Sequence, residues 1–219
     1  MKFLLVGALG KMGREVCDCV NGTSDEIVAG LDVRENDGAF RTYTDPADIV
    51  EKVDAIIDFS VAENRSKIFA FACSNRLPYG MFSTMISERD KIGLEKLKKY
   101  VPVTILSNTS LGVRILKDMA KVLASECDGA DIVITENHHK NKKDSPSGTA
   151  RMIEDIFKEQ GIEFKTVANR VGTERGFHSV QAFFDDEVIE ISHRAYSRRI
   201  FAKGAIGAMH RLVEAEKEK

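Results

Sequence analysis

A short apolar run that breaks into three regularly spaced glycines constrains this chain more than any other feature. Residues 2–6 read as a buried strand, and Gly7-Ala8-Leu9-Gly10-Lys11-Met12-Gly13 follows as a G-x-x-G-x-x-G loop. Met12, Val16, Cys19 and Val20 then recur at helical spacing, and Asn21-Gly22 is a helix stop. Residues 27–31 form a second apolar run that ends at Asp32. Strand, helix and strand within about 30 residues make a βαβ unit, which demands a parallel sheet.

In that setting the glycines permit a tight turn and bring backbone N–H groups of the loop and helix start within reach of a pyrophosphate. The loop departs slightly from G-x-G-x-x-G. Asp32 lies 19 residues after Gly13, near the spacing of an acid that binds a ribose. An acid there favours the free 2′-hydroxyl of NADH, while Arg34 is positioned to meet the 2′-phosphate of NADPH. The competing reading is an ordinary glycine-rich turn with Asp32 as a solvated acid; the strand–helix–strand context favours dinucleotide binding.

Strand and helix continue to alternate: strands near 53–58, 77–81 and 103–106, with helices near 64–74 and 87–100. This predicts an α/β domain, a Rossmann-type doubly wound parallel sheet over residues 1–109. The pattern then changes. A helix near 113–126, a strand at 131–136, a polar loop, a helix near 146–160 and strand-like runs at 164–170, 178–184 and 188–193 predict a smaller α+β domain, residues 110–198, with a mixed or antiparallel sheet. The closing segment, 199–219, carries an Ile206, Met209, Leu212, Val213 stripe and is expected to be a helix packing back on the first domain.

Composition excludes several function classes. With 32 Lys+Arg against 34 Asp+Glu the net charge is −2, too weak a field for a general nucleic-acid binder. Four cysteines show neither disulfide density nor paired C-x-x-C spacing, which suits a reducing compartment. Residues 3–9 are apolar, but Lys11, Arg14 and Glu15 follow without a cleavage site, and no run reaches the roughly 20 apolar residues of a membrane span. A cytoplasmic protein with no membrane partner is the expectation.

The richest stretch for chemistry is Glu136-Asn137-His138-His139-Lys140-Asn141-Lys142-Lys143-Asp144-Ser145-Pro146-Ser147-Gly148-Thr149-Ala150. Two His and three Lys stand directly before a helix start. Ser145 reads as the N-cap with Pro146 at the first helical position, leaving the N–H groups around Ser147, Gly148 and Thr149 to bind an anion. A solvated lysine loop is the bland alternative. A metal reading is weaker, because neighbouring strand residues point to opposite faces and no second ligand pair stands at zinc spacing. A His with its ordinary pKa near neutrality beside an ammonium suits proton transfer onto a bound carboxylate-bearing substrate.

These residues closely resemble the 4-hydroxy-tetrahydrodipicolinate (dihydrodipicolinate) reductase family over nearly the whole chain. Its signature E-x-H-H-x-x-K-x-D-A-P-S-G-T-A appears at 136–150 with Ser145 in place of Ala, and the start at residues 6–13 looks like its V-x-G-x-x-G-R-M-G, with Lys11 where that pattern has Arg. Further matches are Asp58-Phe59-Ser60, Asn108-x-Ser110-x-Gly112, Arg170-x-Gly172, His193-Arg194-Ala195, Arg198 and Phe201-Ala202-x-Gly204-Ala205. The resemblance implies an NAD(P)H-dependent reductase of the diaminopimelate route to lysine. Hydride from the nicotinamide would reduce a cyclic imine dicarboxylate, and a proton would be delivered to the enamine. It further implies His138 as acid/base residue, Lys142 as proton donor and substrate ligand, and His139, Gly148 and Thr149 as carboxylate ligands. Gly7, Ala8, Leu9, Gly10, Lys11, Met12 and Asp32 would hold the dinucleotide, with Phe82, Ser83, Thr84, Leu106, Ser107, Asn108 and Thr109 at its nicotinamide end. A homotetramer built through the second domain's sheet is implied as well.

The departures are specific. Where the family carries G-T-T-G or G-T-T-A this chain has Phe82-Ser83-Thr84-Met85, and the family's aromatic between Asn108 and Ser110 is Thr109. Phe82 is expected to fill space vacated at Thr109, or else to narrow the nicotinamide pocket. The chain ends at Lys219 without the family's Gly-Leu-Tyr-type tail, which bears on assembly. Two other readings stand beside the reductase. One is a Rossmann dehydrogenase for another imine dicarboxylate, which would need a different proton donor; the other is a relative that binds ligand but no cofactor, which nucleotide titration would reveal.

Overall fold

The computed structural model describes residues 1–61, 65–83 and 86–217. Asn64, Thr84 and Met85 therefore lie outside the described residues. The chain divides into two compact units, residues 1–109 with 201–219 and residues 110–200.

The first unit is a seven-stranded sheet, ordered β3-β4-β2-β1-β5-β6-β7. Its strands are β1 (Lys2–Val6), β2 (Glu26–Leu31), β3 (Asn36–Asp37), β4 (Arg41–Tyr43), β5 (Ala55–Asp58), β6 (Tyr79–Met81) and β7 (Val103–Ile105). All pair in parallel except β3, a two-residue antiparallel edge. Successive residues of a strand face opposite sides, so a sheet covered on both faces needs apolar residues at every position. β1 shows this directly. Leu4 and Val6 enter one core with Ile56 and with Ile68, Ala72, Leu94 and Leu97 of the helices α2 (Arg65–Ser74) and α3 (Glu88–Leu97). Phe3 and Leu5 enter the other, with Val16 and Val20 of α1 (Lys11–Val20).

The second core is completed by Ala202, Ala205, Ala208 and Met209 of the closing helix (Arg199–Lys217). The expected stripe is shifted: Met209 is buried, but Ile206, Leu212 and Val213 only flank the core, and alanines occupy its centre. Small side chains let the helix approach the sheet closely. A Cβ on Gly204 would lie 1.8 Å from the Thr109 carbonyl oxygen, so only glycine fits there.

In the second unit the sheet is ordered β11-β10-β8-β9, from β8 (Asp131–His138), β9 (Phe164–Arg170), β10 (Phe177–Phe183) and β11 (Val188–Arg194). β8 and β9 are parallel and the other pairs antiparallel, a mixed sheet. Ile132 and Ile134 of β8 face Leu116, Ala120 and Leu123 of α4 (Leu111–Glu126) and Ile153, Ile156 and Phe157 of α5 (Gly148–Glu159). β8 runs two residues beyond the expected end, because Asn137 and His138 continue the ladder with Asn169 and Arg170. The strands β3 and β4 were not anticipated.

Candidate active site

In the first unit the functional loops leave the carboxyl edge of the parallel sheet, where open α/β sheets bind ligands. Gly7 ends β1 with φ +78°, a conformation that favours glycine, and its N–H donates to the Leu31 carbonyl at 2.8 Å. A Cβ on Gly7 would press the Phe59–Ser60 backbone at 3.2 Å, and one on Gly13 would lie 2.3 Å from the Ala8 carbonyl oxygen. The two glycines thus let the turn lie against its neighbours. Gly10 caps α1 and brings no side-chain hydrogen bond, so the helix start presents its backbone N–H groups.

Asp32 is brought to this loop as its spacing predicts. One carboxylate oxygen accepts the Leu9 N–H at 2.9 Å and the other the Val33 N–H at 2.8 Å. Each oxygen keeps a lone pair for a ribose hydroxyl. Ala8 is buried, Met12 and Leu9 are half-buried, and Lys11 is exposed beside the helix start. These residues fit a dinucleotide: a glycine cradle that a Cβ would fill, an uncapped helix N-terminus, and an acid fixed by two backbone donors.

Leu106 and Ser107, exposed after β7, and Asn108 and Thr109, half-buried, share that edge with Phe82 and Ser83 after β6. The Phe82 ring does not project outward. It is 4% exposed, stacks obliquely on Phe59 with ring centroids 5.5 Å apart, and fills space above Gly80 beside the Met209 sulfur. Thr109 instead donates its hydroxyl to the Phe201 carbonyl at 2.6 Å. The ring belongs to the core that the closing helix completes.

In the second unit one face of β8 carries both Glu136 and His138, since residues two apart on a strand share a face. Glu136 is completely buried. Its carboxylate accepts a short hydrogen bond from His138 Nδ1, the Ser147 N–H at 3.1 Å and Arg170 Nη2 at 2.9 Å. Burial alone would raise its pKa, but the hydrogen bonds from His138 and Arg170 outweigh that and lower it to about 2. With Nδ1 committed to Glu136, Nε2 is the His138 atom left to exchange a proton with a ligand. Gly176, at φ +153°, passes this ring; a Cβ there would lie 3.2 Å from Nε2.

His139 begins the loop beyond β8. Lys142 follows, its N–H donating to the His139 carbonyl at 3.1 Å and its ammonium 2.8 Å from Asp144. Asp144 is held below the usual carboxylate range: burial opposes this, and the Lys142 hydrogen bond prevails. Arg170 also donates to the Asp144 carbonyl at 2.6 Å, joining this loop to Glu136.

The cap of α5 is Ser147, whose hydroxyl accepts the Ala150 N–H at 3.2 Å; the expected Ser145 cap and Pro146 first position are corrected. Ser147 has the extended backbone and the short oxygen a cap requires, and its own N–H is taken by Glu136. The Ser147 N–H is thereby removed from the donors that the helix start could offer an anion. Gly148 faces open space, with nothing within 4 Å of where a Cβ would stand. Thr149 is buried.

Glu136, Arg170 and His178 are not picked out as site residues in the sequence reading, which gives Ser147 only as a backbone donor. The signal for Glu136 was its i, i+2 spacing to His138 on a strand. His178 is found only through sheet register, which pairs it with Glu136 on β8 and His193 on β11. Burial first, then the charge of His138, lowers its pKa to about 3, so it is neutral near pH 7. Among the described residues no group of three His, Cys, Asp or Glu is arranged to hold a metal.

Residues 1–109 match the family described as "Dihydrodipicolinate reductase, N-terminus", and residues 110–219 match "Dihydrodipicolinate reductase, C-terminus". The chain belongs to the dihydrodipicolinate reductase family. Among curated members, the 4-hydroxy-tetrahydrodipicolinate reductase of Methanoculleus marisnigri is 35% identical, covering 99% of this chain and 95% of its own. That of Caldanaerobacter subterraneus subsp. tengcongensis is 34% identical, over 97% and 93%. A solved dipicolinate-bound dihydrodipicolinate reductase from Paenisporosarcina sp. TG-14 superposes with a TM-score of 0.80 over 98% of this chain and 95% of its own, at 17% identity. That likeness shows that the fold of the family is shared.

Proposed function

We propose that this chain reduces 4-hydroxy-tetrahydrodipicolinate with a reduced nicotinamide dinucleotide. The observation that carries the reading is the His138–Glu136 pair beside the N-terminus of α5: a proton-transfer group next to an anion-binding terminus, in a chain whose other unit carries a dinucleotide cradle. The glycine loop from Gly7 to Gly13 and Asp32 would hold a reduced nicotinamide dinucleotide, which would supply the hydride. The chain's own residues do the rest. Gly148, Thr149 and His139 bind the substrate carboxylates, and the Lys142 ammonium lies in the same loop to stabilise negative charge as it builds. Glu136 orients His138 so that Nε2–H of the imidazolium delivers the proton.

NADH is the preferred donor in this reading, because Asp32 is pinned where a 2′-phosphate would meet a carboxylate; exposed Arg34 is the counterweight for NADPH. A homotetramer formed through the second unit's sheet is supported by the half-exposed apolar residues Phe183, Val188 and Ile189 at its β10–β11 end. We place the protein in the cytoplasm, where free thiols such as Cys17, Cys19 and Cys73 stay reduced; no described helix is long and apolar enough to cross a membrane. The test is titration of NADH and NADPH with and without dipicolinate, a planar stand-in for the substrate ring. Micromolar NADH binding, tightened by dipicolinate, is expected; dipicolinate binding without nucleotide affinity would overturn the reductase reading.

A further inference from the structure

His178 lies next to the site without belonging to its proton-transfer pair. It is 4% exposed, and its ring meets that of His138 edge-on with centroids 5.2 Å apart. Its Nε2 stands 3.1 Å from the Ser147 hydroxyl. That hydroxyl accepts the Ala150 N–H, and the arrangement in which it gives its own proton to an unprotonated Nε2 uses both its acceptor and its donor. Nδ1 then carries the proton and is buried with no hydrogen-bond partner among the described residues. With Nδ1 unmatched, the bond to Ser147 is the hydrogen bond that this ring makes among the described residues.

Ser147 is a junction. Its hydroxyl caps α5 and its N–H reaches Glu136, the carboxylate that orients His138. We infer that His178 is a positioning residue: by accepting the Ser147 hydroxyl proton it fixes the cap, and with it the N–H groups of Gly148 and Thr149 that take up a substrate carboxylate. This rests on the functional reading above, in which α5 binds a carboxylate. A protonated His178 would point a second donor at the hydroxyl and break the arrangement; its suppressed basicity keeps the acceptor in place.

The test uses His178→Leu, which keeps bulk but removes the acceptor, and His178→Gln, whose side-chain carbonyl can replace Nε2. Dipicolinate and NADH affinities are measured separately on the full chain. The expected result is at least tenfold weaker dipicolinate binding in H178L, recovery to within about threefold in H178Q, and NADH affinity unchanged in both. Ser147→Ala should weaken dipicolinate binding similarly, and adding H178L to it should cost little more, because both remove one connection. Equal affinities in H178L and the parent, or a fully additive double variant, would overturn the positioning role. So would an equal loss of NADH and dipicolinate binding in H178L that H178Q fails to restore, which marks a general structural defect. If the parent chain itself binds no dipicolinate, the functional reading fails first and this inference falls with it.

Discussion

The Glu136 carboxylate accepts the Nδ1–H of His138, two residues further along the same face of β8. One oxygen serves His138, and the other serves Arg170 and the Ser147 N–H, so a single buried anion fixes the imidazole, the α5 cap and the following loop. A buried charge with that many partners is expensive to leave half-paired.

Removing the imidazole should therefore strike turnover rather than binding. His138→Gln is expected to lower kcat by about 10²–10⁴-fold, the usual share of general acid–base catalysis, with KM changed little. Glu136→Gln keeps shape but no longer fixes the tautomer, and should lower kcat by on the order of 10²-fold. Steady-state kinetics of both variants check this; kcat within twofold of the parent in either would remove the assigned role.

Thr149→Val is predicted to act on the other side of the split. It retains volume at a buried position and deletes one hydroxyl, so KM should rise roughly tenfold with kcat nearly constant, about the value of one hydrogen bond to a charged group. A kcat loss without a KM change would place Thr149 outside the carboxylate site.

His178 also predicts a dependence of stability on pH. Its folded pKa, about 3, is depressed from an ordinary 6.5 by burial and then by the charge of His138. The unfolded chain thus binds the extra proton first as pH falls. The contribution is complete above about pH 6.5 and is lost progressively down to about pH 3, at up to about 1.4 kcal/mol per pH unit. Urea midpoints across this window should fall less steeply for His178→Gln than for the parent; parallel curves would contradict the neutral, buried state.

How much of this was legible beforehand follows from what each signal depends on. The glycine loop and Asp32 were readable because a tight βα turn needs particular residues, and the structure brings the two together through Leu9. The end of β8 was not, because Asn137 and His138 look like loop residues until strand β9 supplies their partners. The Ser145 cap failed for a related reason: Ser147 wins through its hydrogen bonds to Ala150 and Glu136, and the second of these is a tertiary contact. His178 carried no local pattern at all and enters only through the register with Glu136.

Gly13 offers a test of the cradle alone. A Cβ there would stand 2.3 Å from the Ala8 carbonyl, so Gly13→Ala must displace the loop. NADH affinity should fall at least tenfold while dipicolinate affinity holds, since Gly13 belongs to the first unit and Gly148 and Thr149 to the second. Calorimetric titration of both ligands decides it, and undiminished NADH binding would show that the loop does not carry the dinucleotide.

The most direct measurement is consumption of NADH by the purified chain, followed by nicotinamide absorbance, with freshly generated 4-hydroxy-tetrahydrodipicolinate as the acceptor and the His138→Gln variant alongside. The account predicts substrate-dependent oxidation of NADH by the parent and its loss, by about 10² or more, in the variant. No oxidation by a parent chain that binds both NADH and dipicolinate, or equal rates in parent and variant, would contradict it.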